Sequence, residues 1–176
     1  MATFKYFGYA SNLLEERIRV GCPTVKFCTI AKLKDYKFSF NNAPDFESPW
    51  QGSTANILPS PGDVTWGAVW EIGTQYIDAL NREDAVDRGI YRNIEVQVET
   101  PEGEKISCRC LEMCSPLPEV GFPSPQYLSV IVDGAVQRGL PEDYIKMLKS
   151  TPHNGFTGEV AIMEEIKEKG KNTHPL

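Results

Sequence analysis

Two short stretches hold the side chains whose types and spacing could do chemistry. "KYFGYASNLLEER" (Lys5 to Arg17) alternates like a strand up to Tyr9, then places Leu13, Leu14 and Ile18 at helical spacing. A strand that turns into a helix through Tyr9-Ala10-Ser11-Asn12 leaves the helix's first amide N–H groups unpaired, with the positive end of the helix dipole behind them. Such groups suit an anion. The second stretch is Glu83-Asp84, at the end of "TQYIDALNREDA". At about 100° per residue, the direction midway among Tyr76, Ile77 and Leu80 lies roughly 35° from Asp84 and roughly 65° from Glu83. Asp84 therefore points more nearly inward, where burial would raise its pKa toward the range of a general acid or base. A lone acid at a helix end is also an ordinary cap or solvated group, so the pattern by itself leaves both roles open.

Other chemistries find no support in the chain. There is no G-x-S-x-G, and the only histidines, His153 and His174, stand late and in polar surroundings, which removes Ser–His and Cys–His triads. Cys108, Cys110 and Cys114 have no second pair at a zinc-like spacing and no nearby histidine, so they read as core cysteines on a strand and no metal is expected. Nothing matches a P-loop or a dinucleotide fingerprint, and no cofactor is expected. An odd count of five cysteines fits reduced thiols. With a net charge of −6 and scattered Lys and Arg, the chain carries no nucleic-acid footprint. No stretch of about 18 apolar residues marks a membrane span, and "MATFKYFGY" lacks a secretory signal, so a cytoplasmic location is expected.

The elements that must position these residues come as strands first and helices later. After a helix at about 12–20, stopped by "GCP", the runs "VKFCTIAKL" and "DYKFSF" read as strands, the second with Tyr36, Phe38 and Phe40 on one face. "NNAPDFESPWQGS" is rich in turn residues yet carries Phe46 and Trp50, so it is expected to pack over something. "TANILPSPGD" reads as a short strand and a turn, and "VTWGAVWEI" as a strand. A short helix capped by Thr74 follows, then the hairpin "IYRNIEVQV", "TPEGEK", "ISCRCLEM". Ile90, Ile94, Val96 and Val98 share one face of its first strand, which sends Tyr91 to the other. "PQYLSVIVDGAVQRG" is a helix ending at Gly139, and "LPEDYIKMLKS" restarts at Pro141. About six strands and four or five helices, not in strict alternation, predict a single α+β domain over 1–176 with a loose tail from about 168.

"YFGYASNLLEERI", "PSPGDVTWGAVW", "GIYRNIEV" and "PSPQYLSVIVDGAVQRGLPEDY", in this order and spread over about Phe4 to Ile166, resemble the γ-glutamylcyclotransferase family, in its animal glutathione-pathway branch. The resemblance implies a small mixed β-barrel ringed by helices, assembly as a homodimer, no metal or organic cofactor, and conversion of a γ-glutamyl amino acid into 5-oxoproline plus the free amino acid. The family motif Tyr-Gly-Ser-Asn-Leu falls on Tyr9, Ala10, Ser11, Asn12 and Leu13, with alanine in place of glycine. The catalytic glutamate falls on Asp84, one methylene shorter, with Glu83 as the alternative, and the pocket tyrosines on Tyr91 and Tyr127. Each tyrosine also suits plain barrel packing. A left-handed backbone at Ala10 would cost about 1 kcal/mol. The two substitutions equally fit a catalytically weak member of the fold that binds a small anionic ligand, or a cyclotransferase for γ-glutamylamines.

Overall fold

The computed structural model describes residues 2–114 and 119–171. Strand β1 (Thr3–Gly8) leads through a short 3-10 turn at Ser11–Leu13 into α1 (Glu15–Gly21). Two long strands follow, β2 (Lys26–Asn42) and β3 (Thr54–Gly73). A 3-10 turn at Thr74–Tyr76 opens α2 (Ile77–Glu83). The hairpin β4 (Tyr91–Glu99) and β5 (Lys105–Met113) and a short β6 (Glu119–Val120) precede α3 (Pro125–Arg138), α4 (Glu142–Lys149) and α5 (Ala161–Lys171).

The sheet order β3-β1-β5-β4-β2 closes on itself through β2–β3, giving a five-stranded barrel with β6 added at the outer end of β2. β1 runs parallel to β5 and every other pairing is antiparallel, so the barrel is mixed, as expected. Closure leaves no free edge within the ring. Phe7, Val69, Trp70, Ile72 and Val98 are fully buried, so β3 is covered on both faces where it passes β1.

Three local expectations are corrected. The predicted helix at about 12–20 is broken at Leu14, whose φ −80 and ψ 123 are extended, so Asn12 and Leu13 belong to a 3-10 turn and α1 starts at Glu15. The two strand pairs expected on either side of "LKDYK" and "PSPGD" are continuous strands. The chain absorbs the break in a bulge where Asp35 takes φ 65, and its carboxylate accepts from Gly62 N–H at 3.0 Å in the small loop opposite. The C-terminal helix runs to Lys171, past the tail expected from about 168, and residues 172–176 lie outside the described part.

Helix α3 sets the loop after β1. A Cβ on Gly134 would lie 2.6 Å from both Leu13 Cβ and Leu14 N, so glycine lets the helix back directly onto the turn. At the other end of α3, Ser124 caps the helix by accepting from Tyr127 N–H (3.1 Å) and donates its hydroxyl to Trp50 carbonyl (2.6 Å). One serine thus ties the 43–53 loop to the first turn of α3, and Trp50 stacks at 4.8 Å on Tyr127. The loop carrying Phe46 and Trp50 does pack over something: the mouth of the barrel.

Candidate functional site

A pocket opens where the loop after β1, the end of α2, the start of β4 and the 43–53 loop meet. Tyr9, Ala10, Ser11, Asn12, Glu83, Asp84, Tyr91 and Tyr127 all line it, from four separated stretches of chain. Leu13 does not line it. Its side chain is fully buried beneath α3, and its N–H is spent on Ala10 carbonyl at 3.0 Å. Leu13 therefore holds the turn's shape. The N–H groups of Ala10, Ser11 and Asn12 have no acceptor among the described residues. They sit on a 3-10 turn and so point to an anion through their bare hydrogens, with little help from a helix dipole. Ala10 has φ −129, so the expected cost of a left-handed alanine does not arise.

Asp84 stands at the end of α2 because of how that helix stops. Val86 N–H bonds Asn81 carbonyl (2.8 Å) and Ala85 N–H bonds Arg82 carbonyl (3.2 Å), with Ala85 at φ 55. This is the paired-bond helix terminator that glycine usually completes. Alanine in the left-handed region costs on the order of 1 kcal/mol, and it does so on the pocket wall beside the carboxylate. Neither Asp84 carboxyl oxygen takes a hydrogen bond or ion pair from a described residue. Burial, opposed by the Arg17 guanidinium and reinforced by Glu83, pushes its pKa up to about 7. The residue still reaches solvent in part. Glu83 is committed elsewhere: it pairs with Arg17 at 3.5 Å, bridging α2 to α1.

The tyrosines fill both roles open to them. Tyr9 O–H donates to Leu111 carbonyl (2.7 Å), while Tyr91 O–H donates to Ala55 carbonyl (2.6 Å) and its oxygen accepts the Thr54 hydroxyl (2.8 Å). Tyr127 oxygen accepts Ala55 N–H (3.1 Å), and Tyr6 oxygen accepts Asn12 side-chain amide (3.1 Å), so these two keep their own O–H to give. Burial pushes all four hydroxyls up in pKa, and they stay protonated. A protonated phenol can donate to an oxygen that gains charge.

Over 172 residues, 97% of this chain and 90% of the relative, the sequence is 42% identical to mouse gamma-glutamylcyclotransferase. The chain belongs to the γ-glutamylcyclotransferase family. The human γ-glutamylcyclotransferase is 41% identical over 96% of this chain and 90% of its own length. A solved structure named gamma-glutamyl cyclotransferase superposes with a TM-score of 0.88 at 40% identity, covering 95% of this chain and 99% of the other. Residues 64–148 match the model of the AIG2-like family, a span that holds Asp84, Tyr91 and Tyr127 but not the loop after β1.

Within this γ-glutamylcyclotransferase-family pocket, sequence reasoning missed Arg17, Trp50 and Tyr6. Arg17 is 5% exposed, lies 5.8 Å over the Trp50 ring, and its Nε has no partner among the described residues. The signal was present: Arg17 follows Leu13 by four residues and Leu14 by three, which places it on the buried side of α1.

Proposed function

We propose that this protein converts a γ-glutamyl amino acid into 5-oxoproline and the free amino acid. The observation that carries the reading is the unpartnered Asp84 carboxyl, poised near pKa 7, in one pocket with the free amides of Ala10, Ser11 and Asn12. The substrate supplies its own nucleophile. Its α-amine attacks its γ-carbonyl, so both reacting groups arrive tethered and the pocket need only fold the chain into a near-attack pose.

An ammonium has no lone pair, so a base must act first. Asp84 takes one proton from the ammonium, the amine forms the ring C–N bond, and the tetrahedral carbon expels the leaving nitrogen as Asp84 hands that proton to it; the second proton shed by the ring nitrogen passes to the freed amine, which departs as an ammonium. No water is consumed and the carboxyl ends as it began. The free amides hold an oxygen anion of the γ-glutamyl group, and the tyrosine hydroxyls that retain a proton face the developing charge. The substrate's ammonium brings a further counter-charge to Asp84 beside that of Arg17, so binding favours the ionised, basic form. Arg17 balances Glu83 nearby and keeps the net charge around the base from rising further.

The setting that goes with this reading is the turnover of glutathione-derived γ-glutamyl compounds in the cytoplasm, by a homodimer. Five free thiols and the family support it. Incubating purified protein with γ-glutamyl amino acids tests the reaction. Equal release of 5-oxoproline and amino acid is expected, with kcat/KM falling as pH drops below about 7. No release from any of them would leave a ligand-binding pocket without this chemistry.

A further inference from the structure

Next to the pocket lies a second, wider cleft, and Phe46, Ser48 and Pro49 line both. The inner pocket offers about 70 Å³ to the centres of water-sized molecules and the outer cleft about 690 Å³, so the inner space is narrow and the outer one roomy. Arg88 lines the outer cleft from the turn after α2, four residues beyond Asp84. Its guanidinium lies 5.0 Å over the Phe46 ring, is exposed, and has no ion pair or hydrogen bond among the described residues. Asn42, Glu47, Ser48 and Gln51 supply the remaining polar side chains of the cleft.

The chemistry of the proposed reaction dictates what must sit there. When the γ-glutamyl end fills the narrow pocket, the scissile amide lies at its mouth and the leaving amino acid projects outward. That amino acid's amine is tied up in the amide, so the charge it presents is its α-carboxylate. A planar guanidinium seated over an aromatic ring is steadied there and can take a carboxylate with two parallel hydrogen bonds.

We propose that the outer cleft is the subsite for the leaving amino acid and that Arg88, steadied by Phe46, binds its α-carboxylate. This inference rests on the cyclotransferase reading and adds to it the choice of leaving group. Arg88 selects γ-glutamyl amino acids over γ-glutamylamines, which carry no carboxylate at that place.

The test compares γ-glutamyl-alanine with γ-glutamyl-alaninamide, whose terminal carboxylate is neutralised, on wild type, Arg88→Gln and Arg88→Lys. Both residues replace an exposed side chain, so the fold should tolerate them. Arg88→Gln should lower kcat/KM for γ-glutamyl-alanine about three- to tenfold, carried by KM, with Arg88→Lys in between and the alaninamide unaffected. Equal loss on both substrates, or no loss on either, overturns the subsite while leaving the cyclotransferase intact. Calorimetric binding of the same two compounds is the second arm. If wild type released no 5-oxoproline, the reaction would fail on its own, and a preference for the acid that Arg88→Gln abolishes would still support the subsite. Equal binding of acid and amide by wild type would refute it.

Discussion

Replacing Asp84 by asparagine separates the cost of the carboxylate from its use. Asparagine keeps the shape, cannot accept the proton, and never ionises. The Asp84 pKa of about 7 stands against an ordinary value of 3.8, so charging this group in the folded protein costs up to roughly 4 kcal/mol. The folded-state pKa is the higher one, so the native state holds the proton more tightly than the unfolded chain. Stability contributed by this group is present at low pH and is lost as pH rises from about 4 to about 7. Between pH 5 and pH 8 the full effect would be roughly 3 kcal/mol, and because the residue is only half-buried we take about half of it. Asp84→Asn should therefore gain about 1.5 kcal/mol on wild type between those pH values. At about 2–4 °C per kcal/mol in a chain of this size, that is a relative rise in Tm of roughly 3–6 °C. Melting curves of both proteins at pH 5 and pH 8, beside a 5-oxoproline assay, provide the measurement. A Tm difference independent of pH would mean that the carboxyl is not desolvated, and turnover by the asparagine protein would mean that Asp84 is not the base.

Three further outcomes are expected. Ala85→Gly should stabilise by about 0.5–1 kcal/mol in denaturant unfolding, since glycine adopts φ 55 without strain; a destabilisation would mean that the alanine methyl packs well enough to outweigh its backbone. Ala10→Gly should leave substrate affinity within about twofold, because φ −129 suits alanine, whereas Ala10→Val should weaken it at least tenfold by adding bulk to the pocket wall; equal effects would remove that wall from the site. A thiol reagent should label exposed Cys28 first without loss of activity, while burial pushes Cys22 up to about 12 and Cys108 to about 11 and so slows them; rapid inactivation prevented by substrate would place a thiol in the chemistry.

How far the chain could be read in advance depended on whether the signal was local. Tyr36, Phe38 and Phe40 alternate, and Leu128, Ile131 and Ala135 recur at helical spacing, because each set faces one packed surface. Asp84 was legible from its angle on α2 for the same reason. The break at Leu14 was not, because a 3-10 turn and an α-helix differ there by one residue's ψ, which packing against Gly134 decides. Nor was the fusion of the long strands: Asp35 and Gly62 read as turn residues, and only the partner strand converts a turn into a bulge. Arg17 stands among several charges in "EERIR", and only its spacing from Leu13 and Leu14 sets it apart. Trp50 was expected to pack, but that it would reach Tyr127, 77 positions away by number, depends on Ser124 joining the two segments.

The parallel contact between β1 and β5 has a consequence for how the molecule comes to work at all. Tyr9 reaches Leu111 across 102 positions and Ala55 reaches Tyr127 across 72, so two walls of the pocket depend on the closure of long loops, which costs more entropy than local contacts do. During synthesis β1 waits for most of the chain before its second neighbour exists, and no fragment ending before α3 contains the whole cavity. The complete cavity is therefore a property of the closed barrel alone, and on the proposed function the return of turnover on refolding should time the final closure.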